Sequence, residues 1–261
     1  MLDLSISIVN YNSKDELTQC LDSLFKYTKD IKFKVRVIDN ASEEPIKDLV
    51  GKYKEVEFIF NKKNIGFGSA NNMAIKSAVS RYHLILNPDI IFIKNCMKEA
   101  LHYLEANPEV GIIGPKMMYQ DGSLQYSCRR FPTMLSFLIR GFRPGAKSAV
   151  LDKYLMKNTS HDKIMDVDWT LGSFMLARKD ALDVAGGFDE KYFMYYEDID
   201  LCYRLKKAGY RILYYPMAEV THIYKRTSAG SIASKLKVIH TQSAFRFFVK
   251  YLFQRKWKTF I

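Results

Sequence analysis

The first hundred residues switch repeatedly between two hydrophobic periods. Residues 4–10 form a short β-branched run that ends in Asn10-Tyr11-Asn12. Ser13-Lys14-Asp15-Glu16 then has the form of a capping box, with Ser at the N-cap and Glu three residues on. Leu17, Cys20, Leu21 and Leu24 follow at helical spacing. Further strands are predicted over residues 33–39, 56–60 and 82–86, with helices near 69–80 and 94–106. This βαβα order predicts an α/β fold, a mainly parallel central sheet with helices on both faces. Such sheets bind ligands beyond the carboxyl ends of their strands. That rule directs attention to residues 10–12, 39–42, 64–72 and 87–89.

The second half is less regular. A strand is predicted at 111–118, a buried strand region at 167–178, a helix at 198–207 and a strand at 210–215. Residues 131–163 read as a variable insertion. Residues 234–254 predict a long helix with Leu236, Ile239, Phe245, Phe248 and Leu252 on one side. There is no internal repeat and no low-complexity linker.

Composition sharpens the picture. Of the 261 residues 48% are hydrophobic, which excludes a disordered chain. The net charge of +12 predicts an anionic partner: nucleotide phosphates, nucleic acid or an acidic membrane surface. After Glu219 there is no Asp or Glu, while Lys225, Arg226, Lys235, Lys237, Arg246, Lys250, Arg255, Lys256 and Lys258 follow. Cys20, Cys96, Cys128 and Cys202 form no CxxC pair, so neither a zinc site nor a disulfide framework is signalled. No leader pattern is present, and no apolar run approaches the roughly 18 residues of a membrane span. A cytoplasmic protein is the expectation, with peripheral contact at the inner face of a plasma membrane left open.

Several residues could carry chemistry. Asp39, after the second strand, could accept hydrogen bonds from a base or ribose, or merely cap its own turn. The glycine-containing loop 64–72 opens a helix and could cradle phosphate, or be a structural turn. Asp89 in Asn87-Pro88-Asp89 could be a carboxylate ligand to Mg²⁺ or Mn²⁺ on a diphosphate, against the alternative of an Asx-Pro turn. Glu197 and Asp198 open a helix after an aromatic run; they could offset the helix dipole or supply a general base. His222 could be a further metal ligand or a packed residue. Trp169 could be core or a platform for a sugar.

Taken in order, these motifs resemble family 2 glycosyltransferases. They are Ile-Val-Asn-Tyr-Asn, Val-Ile-Asp-Asn-Ala-Ser, Asn-Ile-Gly-Phe-Gly-Ser-Ala-Asn-Asn, Leu-Asn-Pro-Asp, Gly-Ser-Phe-Met-Leu-Ala-Arg, the run from Gly186 to Arg204, and the late His. More narrowly, the chain is similar to the bacterial rhamnosyltransferases that build cell-surface polysaccharides. The resemblance covers about residues 4–225. It implies a GT-A fold over 1–225, with a nucleotide-binding half (1–118) and an acceptor half (119–225), followed by a basic helical tail (226–261). It implies that Asn10, Tyr11, Asp39, Gly68, Asn71 and Asn87 bind the nucleotide. Asn87 stands where the family usually has the first acid of Asp-x-Asp. The resemblance further implies Asp89 and His222 as ligands to Mg²⁺ or Mn²⁺, and Asp198 as catalytic base with Glu197 as its acceptor-binding or supporting partner. Trp169 and Gly172 fall on the acceptor side.

The implied reaction is inverting transfer from a nucleotide-diphosphate sugar to a hydroxyl of a lipid-linked saccharide. The branch favours dTDP-rhamnose, with UDP-hexoses next. The tail could touch an anionic membrane, the domain itself or a second copy in a homodimer. Two other classes compete. A nucleotidyltransferase should carry a Gly-rich, basic signature near the first strand, where Asn10-Tyr11-Asn12 stands instead. A non-catalytic binding module should have lost Asp89 or Asp198. Nucleic acid as partner is disfavoured because no stacking motif such as RNP1 is present.

Overall fold

The structure, a computed structural model, describes residues 2–44, 46–142, 147–223 and 230–252. The strands are β1 (Leu2–Asn10), β2 (Phe33–Asp39), β3 (Val56–Phe60), β4 (Ser80–Leu86), β5 (Ile90–Phe92), β6 (Val110–Met118), β7 (Leu124–Gln125), β8 (Cys128–Arg129), β9 (Met165–Val167), β10 (Trp169–Thr170), β11 (Phe174–Arg178) and β12 (Arg211–His222). The helices are α1 (Lys14–Tyr27), α2 (Lys47–Lys52), α3 (Phe67–Lys76), α4 (Met97–Ala106), α5 (Met134–Phe142), α6 (Ala149–Tyr154), α7 (Lys179–Ala185), α8 (Glu197–Lys207) and α9 (Gly230–Leu252).

Alternation along the strands decides which layer each side chain joins. Leu84, Leu86 and Leu176 enter a core under α1 and α4, with Leu17, Leu21, Leu101 and Leu104. Their neighbours Ile85, Met175 and Ala177 face a second core shared with α7, α8 and α9. The main sheet runs β3-β2-β1-β4-β11-β6-β12-β5, with β7 and β9 attached at β6 and β12. Strands β3, β2, β1 and β4 are mutually parallel, as the βαβ pattern predicts. β11 is antiparallel to both β4 and β6, and β12 is parallel to β6. It follows that β6 and β12 point the same way as β4.

Several expectations need correction. Ser13 does not cap α1 through its side chain; its hydroxyl donates to the Tyr11 carbonyl at 3.2 Å. Residues 131–163, read from sequence as a variable insertion, carry two helices that the sequence did not predict, α5 and α6. In α9 the buried positions are Ser243, Ala244, Phe247, Phe248 and Tyr251, while Phe245 is 71% exposed. Phe248 is therefore buried as expected and Phe245 is not. The side chain of Leu252 lies outside the described residues, as do most positions of the tail beyond it.

Candidate active site

Because β1, β2, β4 and β12 share one direction, their carboxyl ends share one edge of the sheet. That edge carries Asn10, Asp39, Asn87 to Asp89, and His222. β11 begins at the same edge, directly after Gly172 and Ser173, because Phe174 pairs with Leu86. Residues dispersed over 212 positions of sequence are thus gathered by strand direction alone.

At the β1–β2 end, Asn10 and Asp39 are register partners. Asn10 Nδ2 donates to Asp39 Oδ1 at 2.8 Å, and the Ser42 hydroxyl donates to the same oxygen at 2.6 Å. Asn10 Oδ1 is buried and has no partner among the described residues. Tyr11 stands beside this cluster, exposed. Asn40, the residue after Asp39, holds the neighbouring loop. Its side chain contacts Asn61, Asn64, Ile65 and the Gly66 carbonyl. Gly66 has φ +89°, and a Cβ there would meet the Phe193 carbonyl oxygen at 2.4 Å. The loop thereby docks onto the segment that leads to Asp198, secured by Phe67 N–H donating to Phe193 O at 3.0 Å.

Two nucleotide-side expectations are not met. Asn71 is fully buried beneath β1, where it accepts from the Ser7 hydroxyl at 2.6 Å and donates to Phe67 O at 3.1 Å. The same hydroxyl lies 3.0 Å from Nε2 of His83, whose imidazole burial pushes down to about 3. Asn71 thus completes an internal polar network. Gly68 is a packing glycine, since the space over it holds the Phe188 side chain, 3.0 Å from an added Cβ, and Glu197 beyond.

At the β4–β12 junction, Asp89 and His222 come together. His222 pairs with Ile90 across β12 and β5, and Ile223 N–H donates to Asp89 O at 2.8 Å. Nε2 of His222 lies 3.1 Å from Asp89 Oδ2, while Nδ1 lies 2.8 Å from Gln125 Oε1. Gln125 thus holds the ring with Nε2 facing the Asp89 carboxylate, where that nitrogen can donate to the carboxylate or, as a lone pair, share a cation with it. Asp89 Oδ1 is buried with no partner among the described residues. One imidazole, one carboxylate with a spare oxygen, and a ring oriented by an outer amide suit a divalent cation that takes its other ligands from a diphosphate. Among the described residues no third His, Cys, Asp or Glu joins them. Asn87 contributes its backbone here, N–H donating to Ser173 O at 2.9 Å.

The residue before Ser173 links to Asp198. Gly172 N–H donates to Asp198 Oδ2 at 3.0 Å, and Ile199 N–H donates to Oδ1 at 2.8 Å. Desolvation raises the Asp198 carboxyl above the usual range, against the pull of those two N–H groups and, after them, the Arg129 guanidinium. Asp198 is partly exposed, so it can meet a substrate. Glu197 turns inward and is buried; burial first, and then the Asp198 charge, hold its carboxyl well above the usual range. It suits a neutral supporting carboxyl rather than a base. Tyr195 and Tyr196 precede the pair with φ of +68° and +67°, an arrangement costly for non-glycine residues. Burial of Tyr196 against Phe247, Phe248 and His240 offsets that strain.

Trp169 is not an open platform. It is 3% exposed, its indole N–H donates to Arg130 O at 2.8 Å, and Arg129 and Tyr154 cover the ring. Gly172 is close-packed as well, with Phe67 and Asp198 filling the space around it. Its contribution is the N–H to Asp198. Gln125 and Arg129 were invisible to sequence reading, for neither carries a local signal.

Comparison with known proteins agrees with this geometry. The chain is 31% identical over 255 residues to rhamnosyltransferase WbbL of Escherichia coli, covering 94% of this chain and 92% of that protein. It is 30% identical over 265 residues to an N-acetylglucosaminyl-diphospho-decaprenol L-rhamnosyltransferase of Mycobacterium tuberculosis, covering 94% and 83%. Among solved structures, GalNAc-T7 with UDP, GalNAc and Mn²⁺ superposes with TM-score 0.68 at 15% identity, covering 94% of this chain and 48% of that one. The mannosyltransferase PcManGT of Pyrobaculum calidifontis, with GDP-Man and Mn²⁺, gives 0.64 at 17% identity, covering 98% and 67%. These likenesses show the GT-A fold. With residues 5–180 matching the model for glycosyl transferase family 2 and relatives aligned along nearly the whole chain, the protein belongs to that family and is a glycosyltransferase of its rhamnosyltransferase-like branch.

Proposed function

We propose that the chain transfers rhamnose from dTDP-rhamnose to a hydroxyl of a lipid-linked saccharide, in the synthesis of a cell-surface polysaccharide. The names of both rhamnosyltransferase relatives support the sugar, and the diphospho-decaprenol acceptor named for one of them supports the lipid carrier. The observation that carries the reading is the continuity of the site. The Asp89–His222 pair is tied to Asp198 through Asn87 N–H to Ser173 O and Gly172 N–H to Asp198.

Asn10, Asp39 and Ser42 form the nucleotide end, where a buried spare acceptor on Asn10 awaits a donor group. Asp89 and His222 would hold Mg²⁺ or Mn²⁺, which when bound neutralises the departing diphosphate. Asp198 takes the proton from the acceptor hydroxyl while that oxygen attacks the anomeric carbon from the face opposite the diphosphate. The bond from carbon to the diphosphate oxygen breaks, and configuration inverts. No second carboxylate nucleophile is needed, unlike a retaining double displacement. Glu197 lies buried behind Asp198, where burial favours its neutral form and so spares Asp198 a second adjacent charge.

The test is a panel of dTDP- and UDP-sugars with Mg²⁺ or Mn²⁺, scored for release of nucleoside diphosphate with and without EDTA. Release from dTDP-rhamnose that EDTA abolishes is expected. Preference for a UDP-hexose would replace the donor, and release indifferent to EDTA would remove the cation from Asp89 and His222.

A further inference from the structure

Two acid-free stretches of this chain meet on one face of the molecule. From Gly122 to Leu151 there is no Asp or Glu, but Arg129, Arg130, Arg140, Arg143 and Lys147 are present. From Val220 onward there is again none. Together the stretches hold 14 of the 40 Lys and Arg and none of the 28 acids, so the rest of the chain carries 26 cations against 28 acids. In the structure, α5 from the first stretch lies alongside α9 from the second. Phe137 stacks on His240 at 6.2 Å and meets Phe248 edge-on at 5.9 Å.

Both helices leave apolar side chains in solvent. On α5 these are Met134, Leu135 and Leu138; on α9 they are Val238, Phe245 and Val249, which recur at helical spacing opposite the buried face. Among the described residues, these six are nearly half of the fourteen large hydrophobics that stand exposed. Lys235, Lys237 and Arg246 flank the α9 stripe, and Arg140 is the only charged residue of α5.

From this we infer that the paired α5–α9 face docks on an anionic lipid bilayer, its apolar side chains entering the headgroup region and its cations pairing with lipid phosphates. An apolar stripe bordered by Lys235, Lys237 and Arg246 is the complement of such a surface, and Asp189, the acid that stands beside Phe245 and Val249, is already paired with Lys250 at 2.7 Å. A second copy of this chain is a poorer fit, because a symmetric contact would set each acid-free stretch against like charge. The placement also suits the site. A cavity of about 150 Å³ opens between the two helices, bounded by Phe137, Arg140, Tyr154, Tyr196 and His240. Tyr196 immediately precedes Glu197 and Asp198. A bilayer on this face would present a lipid-linked hydroxyl from the base side of the site. The inference rests on the lipid-linked acceptor proposed above, but its test needs neither donor nor acceptor.

The experiment is flotation of the full chain with vesicles of phosphatidylcholine alone, or with about 30 mol% phosphatidylglycerol, at low and high salt. Wild type is expected to float with the anionic vesicles and to be released by salt. L135E/L138E on α5 and F245E on α9 are each expected to reduce binding about tenfold or more, while EDTA-sensitive donor hydrolysis is unchanged. Equal binding to both vesicle types, or variants that float like wild type, would overturn the inference. So would a dimer in sedimentation equilibrium without lipid that these substitutions dissociate. Loss of donor hydrolysis in wild type would instead strike at the proposed function and leave the flotation result standing.

Discussion

The backbone N–H of Gly172 donates to Asp198 Oδ2 at 3.0 Å, and the residue after Gly172 accepts from Asn87 N–H at 2.9 Å. The start of β11 is therefore a strut between the Asp89–His222 corner and Asp198. It fixes the carboxylate by a bond that needs no side chain. A hydrogen bond to an ionised oxygen is about twice as strong as a neutral one, so the strut also limits how far desolvation can raise Asp198.

Asp198→Asn keeps the size of the side chain and an oxygen for Gly172 N–H, but removes the base. Transfer should fall by about 10²–10⁴-fold. Donor affinity, set at the Asn10–Asp39 and Asp89–His222 ends, should stay within about twofold of wild type, a change under about 0.5 kcal/mol. Steady-state transfer and calorimetric titration of dTDP-rhamnose check both. Near-normal turnover would take the role of base from Asp198.

Gln125→Leu removes the amide that orients His222 from 97 positions away. Outer partners of metal-ligating His are worth about 10–100-fold in metal affinity or activity. Mn²⁺ affinity, read by electron paramagnetic resonance in the presence of dTDP, should fall by that amount, with binding of dTDP alone unchanged. An unaltered Mn²⁺ titration would show that Gln125 does not position the ring.

The contrast between Asp89 and Gln125 measures what the sequence could convey. Asp89 ends a strand in a turn motif, so its place on the carboxyl edge was legible from local pattern. Gln125 sits in a two-residue strand with no periodicity, and only the tertiary fold gives it a partner. The N-terminal half was readable because parallel strands and their helices repeat two clear periods. The C-terminal half includes strands as short as β8 and β10, two residues each, which leave no period to read. Asn71 shows the converse error: an amide near a helix start resembles a phosphate ligand, yet burial turned it toward Ser7. In α9 both faces are apolar, so spacing alone could not say that Phe247 is buried and Phe245 exposed.

Trp169→Phe should test the correction to its role. The ring lies in the core under Arg129 and Tyr154, so its loss creates a cavity and frees the Arg130 carbonyl. Stability should drop by about 1–3 kcal/mol, read by urea unfolding. The acceptor KM should stay near that of wild type. A KM raised severalfold with stability intact would restore Trp169 to the acceptor site.

Asp200 is the third acid of the Glu-Asp-Ile-Asp run, but it is wholly buried. It accepts from Lys250 and Tyr251 of α9 at 2.6 Å each and from Arg204 at 2.7 Å. Asp200→Ala would take this carboxylate from Arg204 and Tyr251 and leave Lys250 with Asp189, at a cost of about 3–5 kcal/mol. Limited proteolysis should then cut within α9 before the rest of the domain. Unchanged protease resistance would mean that α9 is held by its aromatic face alone.

Glu197 makes a prediction about pH whose sign can be worked out. Its carboxyl is raised well above the ordinary Glu range, chiefly by burial and next by the Asp198 charge. In the window above the unfolded value near 4.3 and below the folded value, the native state keeps a proton that the unfolded chain has released. Stability conferred by this group is thus complete at acid pH and is lost as pH rises through that window, by about 1.4 kcal/mol per pH unit. Glu197→Gln keeps the shape and is neutral at every pH. Its stability relative to wild type should therefore improve as pH rises above the unfolded value and level off once the folded carboxyl has ionised, with little pH dependence below that window. Urea unfolding of both proteins across the range checks it. A stability difference that does not vary with pH would show that Glu197 is ionised in the folded protein, and that Asp198 works beside a second negative charge.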